Sequence, residues 1–277
     1  MVRLVKDHRD LLTEVMECTP LAYRGLVILL ECVRPPSGGT PKEYFLRLRE
    51  VESGAIIATF AAGYGLACAV VHADTVYVFA TQAIIHPDKP GNAWNDVTVF
   101  WSQDLENWNQ QAALTHQPGE AIFNTSVCPT PEGFVMAYET THPDYVSFTI
   151  RFAASADLLD WTPLPDTLFA PERYAACPCL RHCDGYYYLL YLEHLEPRRF
   201  ETWLARSRDL VGWERSPHNP ILAADEGEGC NNSDPDLVEF AGKVYLYYAT
   251  GDQLTWGNLR RCVFEGSLDE FYRNAFG

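Results

Sequence analysis

The side chains best suited to chemistry in this 277-residue sequence lie in Asn231-Asn232-Ser233-Asp234-Pro235-Asp236. This stretch leads a strand that turns at Ala241-Gly242 into a second, apolar strand ending at Thr250. Residues i and i+2 of a strand point the same way, so Asp234 and Asp236 are expected on one face. Pro235 lacks a ladder donor and is expected at a strand start or edge. Glu17 stands eight residues before Gly25, as Asp234 stands eight before Gly242. Glu31, Glu139 and Glu193 end three otherwise apolar strands, with Thr81 and Thr250 at the corresponding ends of two others. A carboxylate is costly to bury without a partner, and burial raises its pKa. A carboxyl tuned in this way can hand over a proton near neutral pH.

The elements that must position these groups repeat. Ser102-Gln-Asp104-Leu105-Glu-Asn-Trp108 is followed by Ser155-Ala-Asp157-Leu158-Leu-Asp-Trp161 and Ser207-Arg-Asp209-Leu210-Val-Gly-Trp213, with the serines 53 and then 52 residues apart. Three copies at a constant period signify structural repetition, and a period of about 52 residues divides the chain into five units. Each unit has a turn followed by a nearly continuous apolar and aromatic strand, such as 74–81, 133–139, 185–193 and 242–250. Such strands need cover on both faces, which sheets stacked around an axis provide. The expected fold is therefore all-β: one domain over 1–277, a five-bladed β-propeller with antiparallel four-stranded blades. The approximate blades are 12–60, 61–117, 118–168, 169–226 and 227–277. Leu11–Met16 reads as a short helix, and residues 2–5 as an added strand that closes the ring. Asp104, Asp157 and Asp209 are assigned to the turn, and each Trp to the gap between sheets.

Composition narrows the partners. There are 37 acidic and 21 basic residues, a net charge of -16. Phosphate backbones and anionic lipid would repel such a chain, so neither nucleic acid nor a membrane surface is an expected partner. No apolar run approaches the ~18 residues of a membrane span. The first ten residues lack an apolar signal core, so a cytoplasmic location is expected. The nine cysteines include no C-x-x-C pair, and Cys177-Pro178-Cys179 is too tight for zinc-ribbon spacing. They are expected as reduced thiols, with Cys177, Cys179 and Cys183 as core filler. No metal or other cofactor is expected.

The Asp-Pro strand start, the Gly-Lys-x-Tyr-Leu-Tyr-Tyr-Ala-Thr strand at 242–250 and the Ser-x-Asp-Leu-x-x-Trp repeat together resemble the five-bladed β-propeller glycosidases. These are glycoside hydrolase family 43 and its relatives in families 32, 62, 68, 117 and 130. The resemblance implies a pocket on the propeller axis where carboxylates at the starts of inner strands cleave glycosidic bonds. Family 43 carries an aspartate base in its first blade, and the matching position here is Glu17. A fructosidase-like enzyme carries Glu-Cys-Pro in the fourth blade, and here the run is Ala176-Cys177-Pro178. The third blade leads with Phe123-Asn124-Thr125-Ser126, without an acid.

The resulting expectation is a glycoside hydrolase acting on a short oligosaccharide or glycoside, with Asp234 as base. Glu139 or Glu193 would be the acid, and Glu17 a tuning or second catalytic carboxylate. Asn124, Asn232 and Asp236 would bind substrate hydroxyls, as would Arg173 and Tyr174. Asn231 offers the same amide chemistry, and Trp94, Phe123 and Trp256 could stack on a sugar ring. His194 follows Glu193 but alternates to the other face. The alternatives are a phosphorylase of similar fold and a non-catalytic carbohydrate-binding propeller.

Overall fold

Alternating and continuous apolar runs give strands almost throughout the computed structural model, which describes residues 3–15, 17–35, 39–86, 92–253 and 257–277. The first strand, β1 (Val5–Thr13), stands apart from those that follow it in the chain. Next come four-stranded antiparallel meanders. The first is β2 (Cys18–Tyr23), β3 (Leu26–Val33), β4 (Phe45–Glu50) and β5 (Ile56–Phe60). The second is β6 (Tyr64–His72), β7 (Thr75–Ile85), β8 (Asn92–Ser102) and β9 (Asn109–Leu114). The third is β10 (Ile122–Thr130), β11 (Gly133–Thr140), β12 (Thr149–Ser155) and β13 (Thr162–Phe169). The fourth is β14 (Ala175–Cys183), β15 (Tyr186–Leu195), β16 (Arg199–Ser207) and β17 (Trp213–Arg215). The last is β18 (Asn231–Phe240), β19 (Lys243–Gly251) and β20 (Asn258–Phe264), with β1 antiparallel to β20 as its outer strand. One parallel pair, Phe200↔Asn231, links β16 to β18. The leading strands β2, β6, β10, β14 and β18 touch in a closed cycle.

The turns explain why each meander begins so tightly. In the hairpins after β2, β6, β14 and β18 both central residues have positive φ, as at Ala241 (51°) and Gly242 (76°). That is the two-residue geometry whose twist matches the strands it joins. The recurring Ser-x-Asp-Leu-x-x-Trp run is a second fixed turn. The Ser102 hydroxyl accepts from the Leu105 amide at 2.9 Å, and the Asp104 carboxylate accepts from the Glu106 and Asn107 amides at 2.9 and 2.8 Å. Trp108 then lies flat on Phe60 of the preceding sheet, centroids 3.9 Å apart. Trp161 meets Phe79 and Trp213 meets Phe152 across the corresponding gaps.

At the N-terminal end the expected added strand is present, but it runs over Val5–Thr13, with Val2 outside the described residues. The expected helix fails, since Leu11–Thr13 belong to that strand, and Met16 lies outside the described residues. Lys6 explains why this strand docks: its ammonium reaches Glu228, in the connection before β18, at 2.6 Å and Asn232 of β18 at 2.8 Å. A helix the sequence reading lacked, α1 (Leu268–Phe276), is capped by Ser267 and buries Phe271 and Tyr272. Tyr272 stacks on Tyr188 at 3.9 Å. No helix among the described residues is long and apolar enough to cross a membrane.

Candidate active site

Glu17, Leu66, Asn124, Cys177 and Asp234 occupy one position, six residues before the last residue of each leading strand. Four of them adopt left-handed backbone: Leu66 (φ 49°), Asn124 (46°), Cys177 (53°) and Asp234 (50°). At each the ladder slips, because the leading strand carries extra residues opposite its partner. Such bulges re-aim a side chain and break pairing, which is also where a proline does no harm. Pro178 and Pro235 directly follow two of them. Pro235 therefore sits within β18 rather than at its start, on the leading edge of its meander, where the one pair to β16 among the described residues is at Asn231. The bulge interrupts the alternation between Asp234 and Asp236, yet both residues line one cavity.

Glu17, Asn124, Cys177 and Asp234 line one cavity with an empty volume of about 350 Å³, part of it open to solvent. Asp234 accepts from the Cys177 thiol at 3.1 Å and from the Ser233 hydroxyl at 2.5 Å. Glu17 pairs with Arg34 at 2.6 Å. Burial raises the Glu17 carboxyl, Arg34 opposes the rise, and the neighbouring Asp234 adds to it. Glu139 arrives from β11 and is fully buried. Its Oε1 accepts from the Cys177 amide at 2.6 Å and from the Asn124 side chain at 2.9 Å. Burial outweighs those two donors and, with Asp234 and Glu17 nearby, pushes the carboxyl up to about 8. Among the described residues, Oε2 of Glu17 and Oε2 of Glu139 are buried without a hydrogen-bond partner.

The strand-end acids do not converge. Counted from the first residue of their strands, Glu31, Glu139 and Glu193 lie five, six and seven residues on. The period of two sends Glu139 one way and the other two the opposite way. Glu31 is buried between Arg47 and Arg49. Glu193 binds Arg173 through Nε at 2.9 and 3.2 Å; neither it nor Glu139 lines the cavity, but Glu139 bonds the cavity residues Cys177 and Asn124. Arg173 is shared with Glu172 at 2.5 Å.

The remaining candidates divide. Tyr174 packs on Phe148 and His194. Burial raises its phenol, as do Cys177, Glu139 and Asp234 beside it. Asp236 reaches the cavity, yet its carboxylate is bound to Arg181 at 2.6 Å. Asn232, expected to bind substrate, is instead buried in the contact with β1: it accepts from Lys6 and donates to Glu228 at 3.1 Å. Asn231 is buried, and neither polar atom of its side chain has a partner among the described residues. Trp94 packs against Tyr44 under the Arg34 guanidinium, and Phe123 packs on Phe148. Trp256 lies outside the described residues.

Sequence reasoning missed Glu228, which sits in a glycine-bearing connection with no strand periodicity to flag it. Burial would raise its carboxyl, but the Asp225 amide, Lys6, Tyr248 and Asn232 overcome that and hold it at about 2. Cys177 was read as filler and lines the cavity instead. Among the described residues, one group has metal-ligand types close together: Cys183, Asp184 and Asp269, at the far end of β14 from Cys177. There the Cys183 thiol already donates to Asp269 at 2.6 Å.

No family profile and no curated protein sequence matches the chain. Solved structures do match it. A thermostable family-43 glycoside hydrolase superposes with TM-score 0.69 at 11% identity, over 93% of this chain and 91% of that one. The β-1,2-mannobiose phosphorylase of Listeria innocua, solved with β-1,2-mannobiose, gives 0.67 at 14% identity over 98% and 95%. The family-32 β-fructofuranosidase of Bombyx mori gives 0.62 at 15% identity over 93% and 61%. The fold is that of the propeller glycosidases and their phosphorylase relatives.

Proposed function

We propose that this chain is a five-bladed propeller glycoside hydrolase that cleaves a short oligosaccharide or glycoside in the cavity on its axis. The observation that carries the proposal is that Glu17 and Asp234 line one cavity while Glu139, buried behind its wall, accepts from the amide of the cavity residue Cys177, where burial and the two neighbouring acids favour its protonated form. Asp234 is the base that draws a proton from the attacking water. Glu139 gives its proton to the leaving glycosidic oxygen. Arg34 opposes the burial that raises the Glu17 carboxyl, and in its ionised form Glu17 favours a protonated Glu139 and steadies positive charge building on the sugar. A fructosidase-like enzyme would carry a glutamate where this chain has Ala176. Glu139, from the neighbouring sheet, accepts from the adjoining Cys177 amide.

Phosphorolysis is the second reading, favoured by the mannobiose phosphorylase likeness. Against it, Arg34 and Arg181 are already paired with Glu17 and Asp236, and the acids lining the cavity would repel a phosphate ion. A panel of aryl glycosides, with and without phosphate, tests the assignment. Hydrolysis predicts turnover without phosphate that falls at least about 100-fold in Asp234→Asn. Turnover only with phosphate would establish the second reading. Sugar binding with no turnover would make the protein a lectin-like propeller.

A further inference from the structure

Cys177 bridges the two groups assigned to proton transfer. Its thiol donates to Asp234 Oδ1 at 3.1 Å, and its amide donates to Glu139 Oε1 at 2.6 Å. Cys177 makes both contacts from a left-handed backbone, φ 53°, at the bulge. Its exposure is intermediate, whereas Cys179 two residues on is buried against Asp236. Cys179 also meets a carboxylate, but of the two only Cys177 lines the cavity.

We propose that Cys177 is a positioning residue of the glycosidic site, holding Asp234 and Glu139 at a fixed separation, and that its thiol opens onto the substrate cavity. The inference rests on the hydrolase reading for its kinetic consequence but not for its geometry. Burial, with Asp234 and Glu139 alongside, raises the thiol well above its usual range. The thiolate is the reactive form, so removing the Asp234 charge should speed chemical labelling.

Two measurements test the proposal. In the first, methyl methanethiosulfonate is added to the intact protein. The Cys177 thiolate attacks the sulfenyl sulfur, a methyl disulfide forms, methanesulfinate leaves, and peptide masses report the rate. The expected result is labelling of Cys177 about tenfold faster in Asp234→Asn than in the wild type, the change given by a thiol pKa lower by one. Equal rates would show that no thiol–carboxylate bond exists and would overturn the proposal whether or not the protein turns over a glycoside. In the second, Cys177→Ala and Cys177→Ser are compared at matched thermal stability. Serine keeps a donor and alanine does not. The expected pattern is a kcat about tenfold lower in the alanine variant with KM within twofold, and recovery to within about threefold of wild type by serine. Alanine with unchanged kcat, or serine no better than alanine, would overturn the positioning role. Absence of turnover in the wild type on every glycoside would instead defeat the hydrolase reading, leaving the labelling result to decide the bond.

Discussion

Replacing Glu139 with glutamine should change the shape of the stability curve against pH. The folded carboxyl sits at about 8 against an ordinary 4.5, and burial is the main cause. The folded protein therefore holds this proton longer than the unfolded chain does. The stability tied to the proton is complete below pH 4.5, drains as pH rises, and is gone above about pH 8. At 1.36 kcal/mol per pH unit between the two values, full ionisation removes about 5 kcal/mol, of which about 4 falls between pH 5 and pH 9. Glutamine has no such proton. Its carbonyl can still accept from Cys177 and Asn124, and the unpaired amide N–H that replaces Oε2 adds a cost of about 1–3 kcal/mol that is independent of pH. Urea unfolding of both proteins at pH 5, 7 and 9 provides the assay, and the difference between the curves cancels the other titrating groups. The expected result is a variant less stable than or equal to wild type at pH 5 and more stable at pH 9. Parallel curves would refute the buried, protonated Glu139 and with it the assignment of that residue as the acid.

Two further outcomes concern the frame. Lys6→Met leaves the Glu228 carboxylate buried with Arg260 as its remaining cation, and should cost about 3 kcal/mol in urea unfolding, most of it recovered when Glu228→Gln is added. Asp157→Ala removes the acceptor of the Leu159 and Asp160 amides and should cost about 1 kcal/mol. These donors hold the Asp157 carboxyl below its usual range, so its contribution is present at neutral pH and is lost as pH falls through the lowered value. The difference between this variant and wild type should shrink in acid, as thermal melts at pH 7 and pH 2 would show.

The parts of the fold legible in the sequence are those fixed by local chemistry. The Ser-x-Asp-Leu-x-x-Trp turn closes on its own hydroxyl, carboxylate and amides, so three copies reveal the repeat without tertiary knowledge. Spacing from the hairpin glycine aligned Glu17 with Asp234, because hairpin geometry fixes how far a residue lies from its turn. Facing was harder to read. The bulge at Asp234 depends on backbone at positive φ that no single residue type announces, so Pro235 lies inside β18 rather than at its start. The alignment of Glu31, Glu139 and Glu193 as strand ends hid register differences of one residue, which decide the face each presents. Asn232 looked available for a sugar because Lys6, its partner, lies 226 residues away. Contacts of that span leave no mark in any window of sequence.

The docking of β1 beside β20 also governs how the protein reaches its native state. The bond from Lys6 to Glu228 closes a loop of 222 residues. Bringing such ends together costs about 3 kcal/mol more than closing a ten-residue hairpin, so this step comes late on the folding pathway. Until it happens, β20 offers an unpaired edge. The β1 of a second molecule fits that edge as well as the chain's own, so refolding at high concentration should yield strand-exchanged dimers, and dilution before folding should suppress them.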